Sequence, residues 1–293
     1  FEHLIQMADL HLICQTTEGE QTTFELEYIS QLLFKDIPHQ KHFDNKKYSL
    51  VLNNAIIIYS NNHRGPNFDF VNYLNKFKKN NFKFYLWHLS NESLLHNCDY
   101  YSLATHVFRN YYYPDLPQNN RITYLPLGFK SGYLNEKAIF SLTEKSYSFS
   151  FIGQPKSDRI ELIQELQSID NAFVHTTNAW NCNTALSQEE CKLIYQKSRF
   201  VPCPKGWINP DSFRIMETLE SGSIPILKEY DNISYFTKPW EEKSPIPIIK
   251  EWSDLQKYSN LSNEEYERLY NEVFDWYSKF RNNLKEKICN ALV

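Results

Sequence analysis

The chain has 293 residues, enough for about two domains that each bury a core. Apolar residues make up 42% and aromatics 16%, which excludes a disordered chain, and 31 Lys and Arg against 35 Asp and Glu give a net charge of −4, which leaves no basic excess to neutralise a nucleic-acid backbone, so no nucleic-acid partner is expected, although a local cationic pocket stays open. Seven glycines occur and no two fit G-x-G-x-x-G or G-x-x-x-x-G-K-[ST], so neither a dinucleotide fingerprint nor a Walker loop is present.

The chain starts at Phe1 rather than Met, which is what removal of a leader or anchor would leave, and the compartment is not read from this end. The longest apolar run, residues 55–59, is far short of the roughly 18 needed for a membrane span, so a soluble portion is expected. Six cysteines without C-x-x-C read as buried thiols.

In chain order, Ala55–Tyr59 reads as a buried parallel strand. Phe70, Leu74 and Phe77 follow at helical spacing, with Asp69 near the start and lysines near the end. Phe82–Leu89 and Ile122–Leu125 read as further strands, making the first half a βαβα unit. Residues 130–146 are weakly patterned and take the domain junction. Tyr147–Ile152 alternates before Gly153 as a strand, Asp158–Gln167 is helical, Ala172–His175 is a strand, and Ser187-Gln-Glu-Glu opens a helix with a capping box. Arg199–Pro202, Pro210–Ser221 and Ile224–Leu227 read strand, helix, strand. After prolines 239, 245 and 247, residues 263–292 form one long helix with Leu269, Val273, Trp276 and Phe280 on a face. The expected domains are 1–140, 141–262 and a terminal helix over 263–293.

Residues 198–227 carry the chemistry, because strand, Pro/Gly loop, helix and glycine turn put a helix N-terminus at the C-terminal edge of a parallel sheet. Asn209 as N-cap and Pro210 as first helical residue would leave the amides of Asp211, Ser212 and Phe213 to hold an anion. Arg214 and Glu217 share a face, so a guanidinium can reach phosphate while a carboxylate accepts from two hydroxyls. That pair suits a nucleoside diphosphate with its ribose.

Arg-x-x-Glu-x-Leu-x-x-Gly-x-Ile-Pro, starting at Arg214, resembles the donor motif of exostosin-like glycosyltransferases, family 47. Phe149-Ser-Phe-Ile-Gly-Gln-Pro-Lys-Ser-Asp-Arg159, Val107-Phe-Arg-Asn-Tyr-Tyr112 and Ile122-Thr-Tyr-Leu-Pro-Leu-Gly-Phe129 extend the resemblance across about residues 85 to 230. It implies an α/β GT-B fold: two Rossmann-like domains facing across a cleft, the nucleotide sugar on the second, the acceptor on the first, and a C-terminal helix crossing back.

Mapped here, the resemblance implies a donor site of Arg214, Glu217, Ser212, Asp211, Arg159, Gly153, Lys205, Gly206 and Trp207, and an acceptor site of Arg64, Arg109 and Tyr111. No Asp-x-Asp occurs, Glu18-Gly-Glu20 and Glu25-Leu-Glu27 lie far from any phosphate-like motif, and His39-x-x-His42 has no third ligand; no metal or other cofactor is expected. Retaining GT-B enzymes often carry Glu-x7-Glu, but Asn209 stands eight before Glu217, which favours inversion. Inversion needs a base on the acceptor hydroxyl, and Asp69 and Glu92, after first-domain strands, are the candidates, with His63 in reserve. The expected partners are a UDP-sugar and a glycan acceptor. Xylose is the first choice on a likeness to stand-alone exostosin-like xylosyltransferases, including those of large algal viruses; galactose, glucuronate or a GDP-sugar stay open, as does a catalytically silent binding partner.

Overall fold

The computed structural model describes residues 9–15, 24–60, 67–89, 91–117, 119–137, 140–179, 184–231, 233–240 and 243–293. Two compact units result. The first comprises 1–131, 238–240 and 281–293, and the second 132–237 and 241–280.

The first unit holds β1 (His11–Cys14), β2 (Gln40–Phe43), β3 (Ala55–Ser60), α1 (Phe68–Lys79), β4 (Phe84–Leu89), β5 (Val107–Arg109) and β6 (Ile122–Tyr124). The strands form one parallel sheet in the order β2-β1-β3-β4-β5-β6. β3 and β4 are buried nearly throughout and apolar except for Ser60 and His88, because a parallel sheet is covered on both faces. α1 starts where Asn67 Oδ1 accepts from the Phe70 amide, and it buries Phe70, Tyr73, Leu74 and Phe77. β1 and β2 are absent from the sequence reading, since β1 spans four residues and β2 is a polar, mostly exposed edge strand. A π-helix, Tyr28–Leu33, packs beside this sheet, and Tyr28 Oη donates to the Pro126 carbonyl.

The second unit holds β7 (Tyr147–Gly153), α2 (Arg159–Gln167), β8 (Ala172–Thr176), α3 (Gln188–Gln196), β9 (Ser198–Pro202), α4 (Phe213–Glu220), β10 (Ile224–Lys228), α5 (Ile233–Trp240), β11 (Ile248–Ile249), α6 (Leu255–Ser259) and α7 (Asn263–Leu292). Its parallel sheet runs β11-β10-β9-β7-β8. The capping box at Ser187 and Glu190 is formed as the spacing predicts. α5 and α7 are divided between the units: residues 281–292 of α7 count with the first and its earlier residues with the second. Within the second unit, buried Glu220 accepts from Tyr277 Oη on α7 at 2.5 Å and from the Asn135 amide at 2.7 Å.

Gly128, in the loop after β6, has φ +88°, and a Cβ there would lie 2.2 Å from the Tyr28 ring. Both the backbone and the contact therefore require glycine. Gly128→Ala is expected to cost about 2 kcal/mol or more of stability, read as a lowered urea midpoint.

Candidate functional site

In the second sheet the chain runs from β7 to β8 on one side and then returns to place β9 on the other, so the topological switch point lies between β7 and β9. Ligands of open α/β sheets bind beyond the strand C-termini at that point. Gly153 ends β7 there, and the loop 203–212 leaves β9 there.

Arg214, in the first turn of α4, is half-buried. Its Nη2 donates to the Ile152 carbonyl at 2.9 Å, and the guanidinium lies over the Phe151 ring at 5.2 Å. A Cβ on Gly153 would come within 3.2 Å of that Nη2, so the bare backbone of Gly153 is what gives the guanidinium room. Burial acts to lower the Arg214 pKa, but Tyr195, Cys203 and Glu217 outweigh it and hold the cation more firmly than usual. Glu217, 5% exposed, lies one turn further along α4. The same surroundings push the Cys203 thiol up to about 12, chiefly by burial, so that sulfur is no nucleophile at neutral pH.

The loop is closed by its own backbone. The Gly206 amide donates to the Asn209 carbonyl at 2.9 Å, and the Asp211 amide donates to Asn209 Oδ1 at 3.0 Å. This corrects the expected helix start. α4 begins at Phe213 with Ser212 at the N-cap, not at Pro210, and the Asp211 amide is already used. In the first turn after Ser212 the Ile215 amide already donates to the Ser212 carbonyl at 3.1 Å, which leaves the amides of Phe213 and Arg214 without an intrahelical acceptor. The Ser212 hydroxyl makes no hydrogen bond either. An Asx turn and a proline look like a cap in sequence, but the helical hydrogen bonds begin later.

Arg159 Nη2 donates to the Lys205 carbonyl at 3.0 Å, tying the start of α2 to the loop after β9. The Lys205 ammonium lies over the Tyr230 ring at 5.1 Å, and Tyr230 Oη donates to Asp158 at 2.5 Å. Trp207 is 76% exposed at the loop tip, with the Lys156 ammonium over its ring at 5.4 Å. All nine residues expected for the donor therefore lie in α4 or in the segments around the β7–β9 switch point.

The first unit gathers its predicted residues less tightly. His63 and Arg64 lie outside the described residues. Asp69 is exposed in the first turn of α1, and Glu92 is half-buried in the turn after β4. Arg109, expected to meet the acceptor, is instead 0% exposed. Its Nε donates to the carbonyls of Asn110 and Tyr111 at 3.1 Å each, and Nη1 donates to Tyr101 Oη at 3.1 Å. Tyr111 is also buried, with φ +60°. His42 Nε2 lies against His11 Nδ1 at 3.0 Å, and His39 Nδ1 lies against the Ile37 carbonyl at 2.8 Å. Among the described residues no three His, Cys, Asp or Glu side chains converge as metal ligands.

Sequence reasoning passed over Glu25. Its carboxyl is 0% exposed, neither oxygen has a hydrogen bond, and burial alone raises its pKa well above the ordinary value. The sequence holds no signal for this, because an acid beside Leu26 and Glu27 reads as surface.

The profile of a family described as RXYLT1 C-terminal domain matches residues 131–293. Ribitol-5-phosphate xylosyltransferase 1 of Danio rerio is 20% identical over 167 residues, 51% of this chain. That match spans only 38% of the relative's own length. The crystal structure of an alpha1,3-fucosyltransferase superposes with a TM-score of 0.51 at 11% identity, covering 96% of this chain and 91% of the other. The calicheamicin glycosyltransferase CalG4 aligns with a TM-score of 0.43 at 7% identity, covering 98% and 99%. The fold is GT-B, built on two parallel sheets.

Glu25 generates one prediction about stability. Folding holds its proton, whereas the unfolded chain releases it above about pH 4.5. Native stability is therefore highest below that pH and falls as pH rises towards the raised native value. Glu25→Gln is expected to raise Tm over wild type at pH 8 and to lose that advantage near pH 4, in paired thermal melts.

Proposed function

We infer the function from one premise: this chain belongs to the RXYLT1 C-terminal domain family, an exostosin-like group of glycosyltransferases. We propose that it transfers a sugar, xylose first, from a UDP-sugar to a glycan hydroxyl, with inversion at the anomeric carbon and without a metal ion. The observation that carries this reading is the seat of Arg214. A guanidinium is fixed against Phe151 and the Ile152 carbonyl, beside a side-chain-free Gly153, at the switch point of the second sheet.

In this reading Arg214 and the first-turn amides of α4 hold the diphosphate, and Arg159 and Lys205 add positive charge from α2 and the loop. Glu217 accepts from the ribose hydroxyls, and Trp207 offers a ring face at the loop tip. As the bond from the anomeric carbon to the diphosphate breaks, negative charge grows on the diphosphate oxygens. Cations already in place meet that charge without reorganising, which lowers the barrier. The acceptor oxygen attacks from the opposite face, and its proton passes to a general base. The relative's name supplies a first acceptor probe, ribitol 5-phosphate.

Release of UDP is expected from UDP-xylose above UDP-galactose, UDP-glucuronate and GDP-sugars, and EDTA is expected to leave the rate unchanged. A rate that disappears with EDTA and returns with a divalent ion would contradict the metal-free reading. Arg214→Ala is expected to weaken UDP binding at least tenfold, since a charge-assisted hydrogen bond contributes about 1.5–3 kcal/mol. Calorimetric titration with UDP measures this directly, and unchanged affinity would place the diphosphate elsewhere.

A further inference from the structure

We propose that Tyr230 is a positioning residue of the donor site, holding Lys205 and Arg159 in place for the diphosphate of a nucleotide. The assignment rests on the glycosyl-transfer reading above and deepens it with a residue outside the expected set. Every group it uses lies in the second unit.

The first observation is position. The second sheet contains the run β10-β9-β7, so the segments leaving the C-terminal ends of these three strands are neighbours. Tyr230 follows β10, Lys205 follows β9, and Asp158 and Arg159 open α2 after β7. That is the edge at which Gly153 gives room to Arg214, and at which ligands of such sheets bind.

The second is a closed ring of hydrogen bonds. Tyr230 Oη donates to Asp158 Oδ2 at 2.5 Å and accepts from the Lys205 amide at 3.3 Å, so the hydroxyl serves as donor and acceptor at once. The Lys205 carbonyl in turn accepts from Arg159 Nη2 at 3.0 Å, and Arg159 adjoins Asp158 in the chain. Asp158 is braced from a further segment, where the buried Trp252 donates Nε1 to the same carboxylate oxygen at 3.3 Å. Burial and the Asp158 carboxylate both push the Tyr230 pKa up, so the phenol keeps the proton it donates.

The third is charge. The Lys205 ammonium lies over the Tyr230 ring at 5.1 Å. Lys228, at the end of β10, instead meets the carboxylates of Glu161 at 3.5 Å and Glu251 at 3.4 Å. Acids cancel the charge of Lys228, whereas a ring face steadies an ammonium without a countercharge and leaves it able to attract an anion. A lysine stem is long and flexible, so an ammonium already ordered against a ring loses less freedom on meeting phosphate. Phenylalanine would supply the ring and serine the hydroxyl. Tyrosine supplies donor, acceptor and ring from one position.

The test measures UDP affinity of the full chain by calorimetric titration in two backgrounds, wild type and the double variant Lys205→Ala with Arg159→Ala. Tyr230→Leu, which removes ring and hydroxyl, is expected to weaken UDP binding about tenfold in the wild-type background and less than about twofold where both cations are gone. Tyr230→Phe keeps the ring and is expected to lose about threefold in the first background and nothing in the second, so it carries the test if the leucine variant does not fold. A merely structural role would lower Tm and weaken UDP binding by the same factor in both backgrounds, and that result would overturn the assignment. So would wild-type affinity in Tyr230→Leu. Failure of the wild-type chain to bind UDP would remove the donor reading and this assignment with it, whereas binding that Arg214→Ala weakens and Tyr230→Leu leaves unchanged removes the assignment alone.

Discussion

The rest of the structure depends on strand direction. Every strand pair in both sheets is parallel, so within each sheet all the C-terminal ends fall along one edge. A parallel sheet buries both faces and leaves its edges of strand ends for polar groups. In the second sheet that edge collects Gly153, the loop after β9 and the first turn of α4. Residues 62 positions apart, Ile152 and Arg214, are joined there by a hydrogen bond because the chain reverses its order across β7.

At that edge the guanidinium of Arg214 is set by neighbours rather than by its own helix. A backbone carbonyl takes one N–H, an aromatic face covers the plane, and a glycine leaves space alongside. An arginine held in this way loses little freedom when it meets an anion, and the low local dielectric strengthens the interaction. The scarcity of glycine in the chain fits the same picture. Gly153 is kept for a close approach and Gly128 for a left-handed turn against Tyr28, and neither belongs to a phosphate-binding glycine loop.

The legible parts of the fold were those with long patterns. β3, β4, α1, α3 and α7 follow from apolar runs, helical spacing and a capping box, and each stands within a few residues of its expected span. β1 and β2 did not announce themselves, since a four-residue strand with two polar neighbours and a polar edge strand carry no periodicity. The start of α4 was misplaced because Asn209 makes a local turn with the Asp211 amide that imitates a cap. In the site, Arg214 and Glu217 were readable as a same-face pair, whereas the burial of Arg109 was not. A polar run ending in tyrosines gives no hint that its cation is satisfied by carbonyls of the next two residues and a distant tyrosine hydroxyl.

Sequence alone determined the class of fold, the absence of a glycine-rich nucleotide loop, and the segment carrying the Arg–Glu pair. These are set by local periodicity, composition and spacing, which act over a few residues at a time. Tertiary structure decided which strand ends meet, which amides remain open at α4, and which acid is stripped of both water and partners. Burial is a property of what the rest of the chain packs against a residue. Glu25 and Glu27 stand two apart in the same local sequence, yet only Glu25 is fully enclosed.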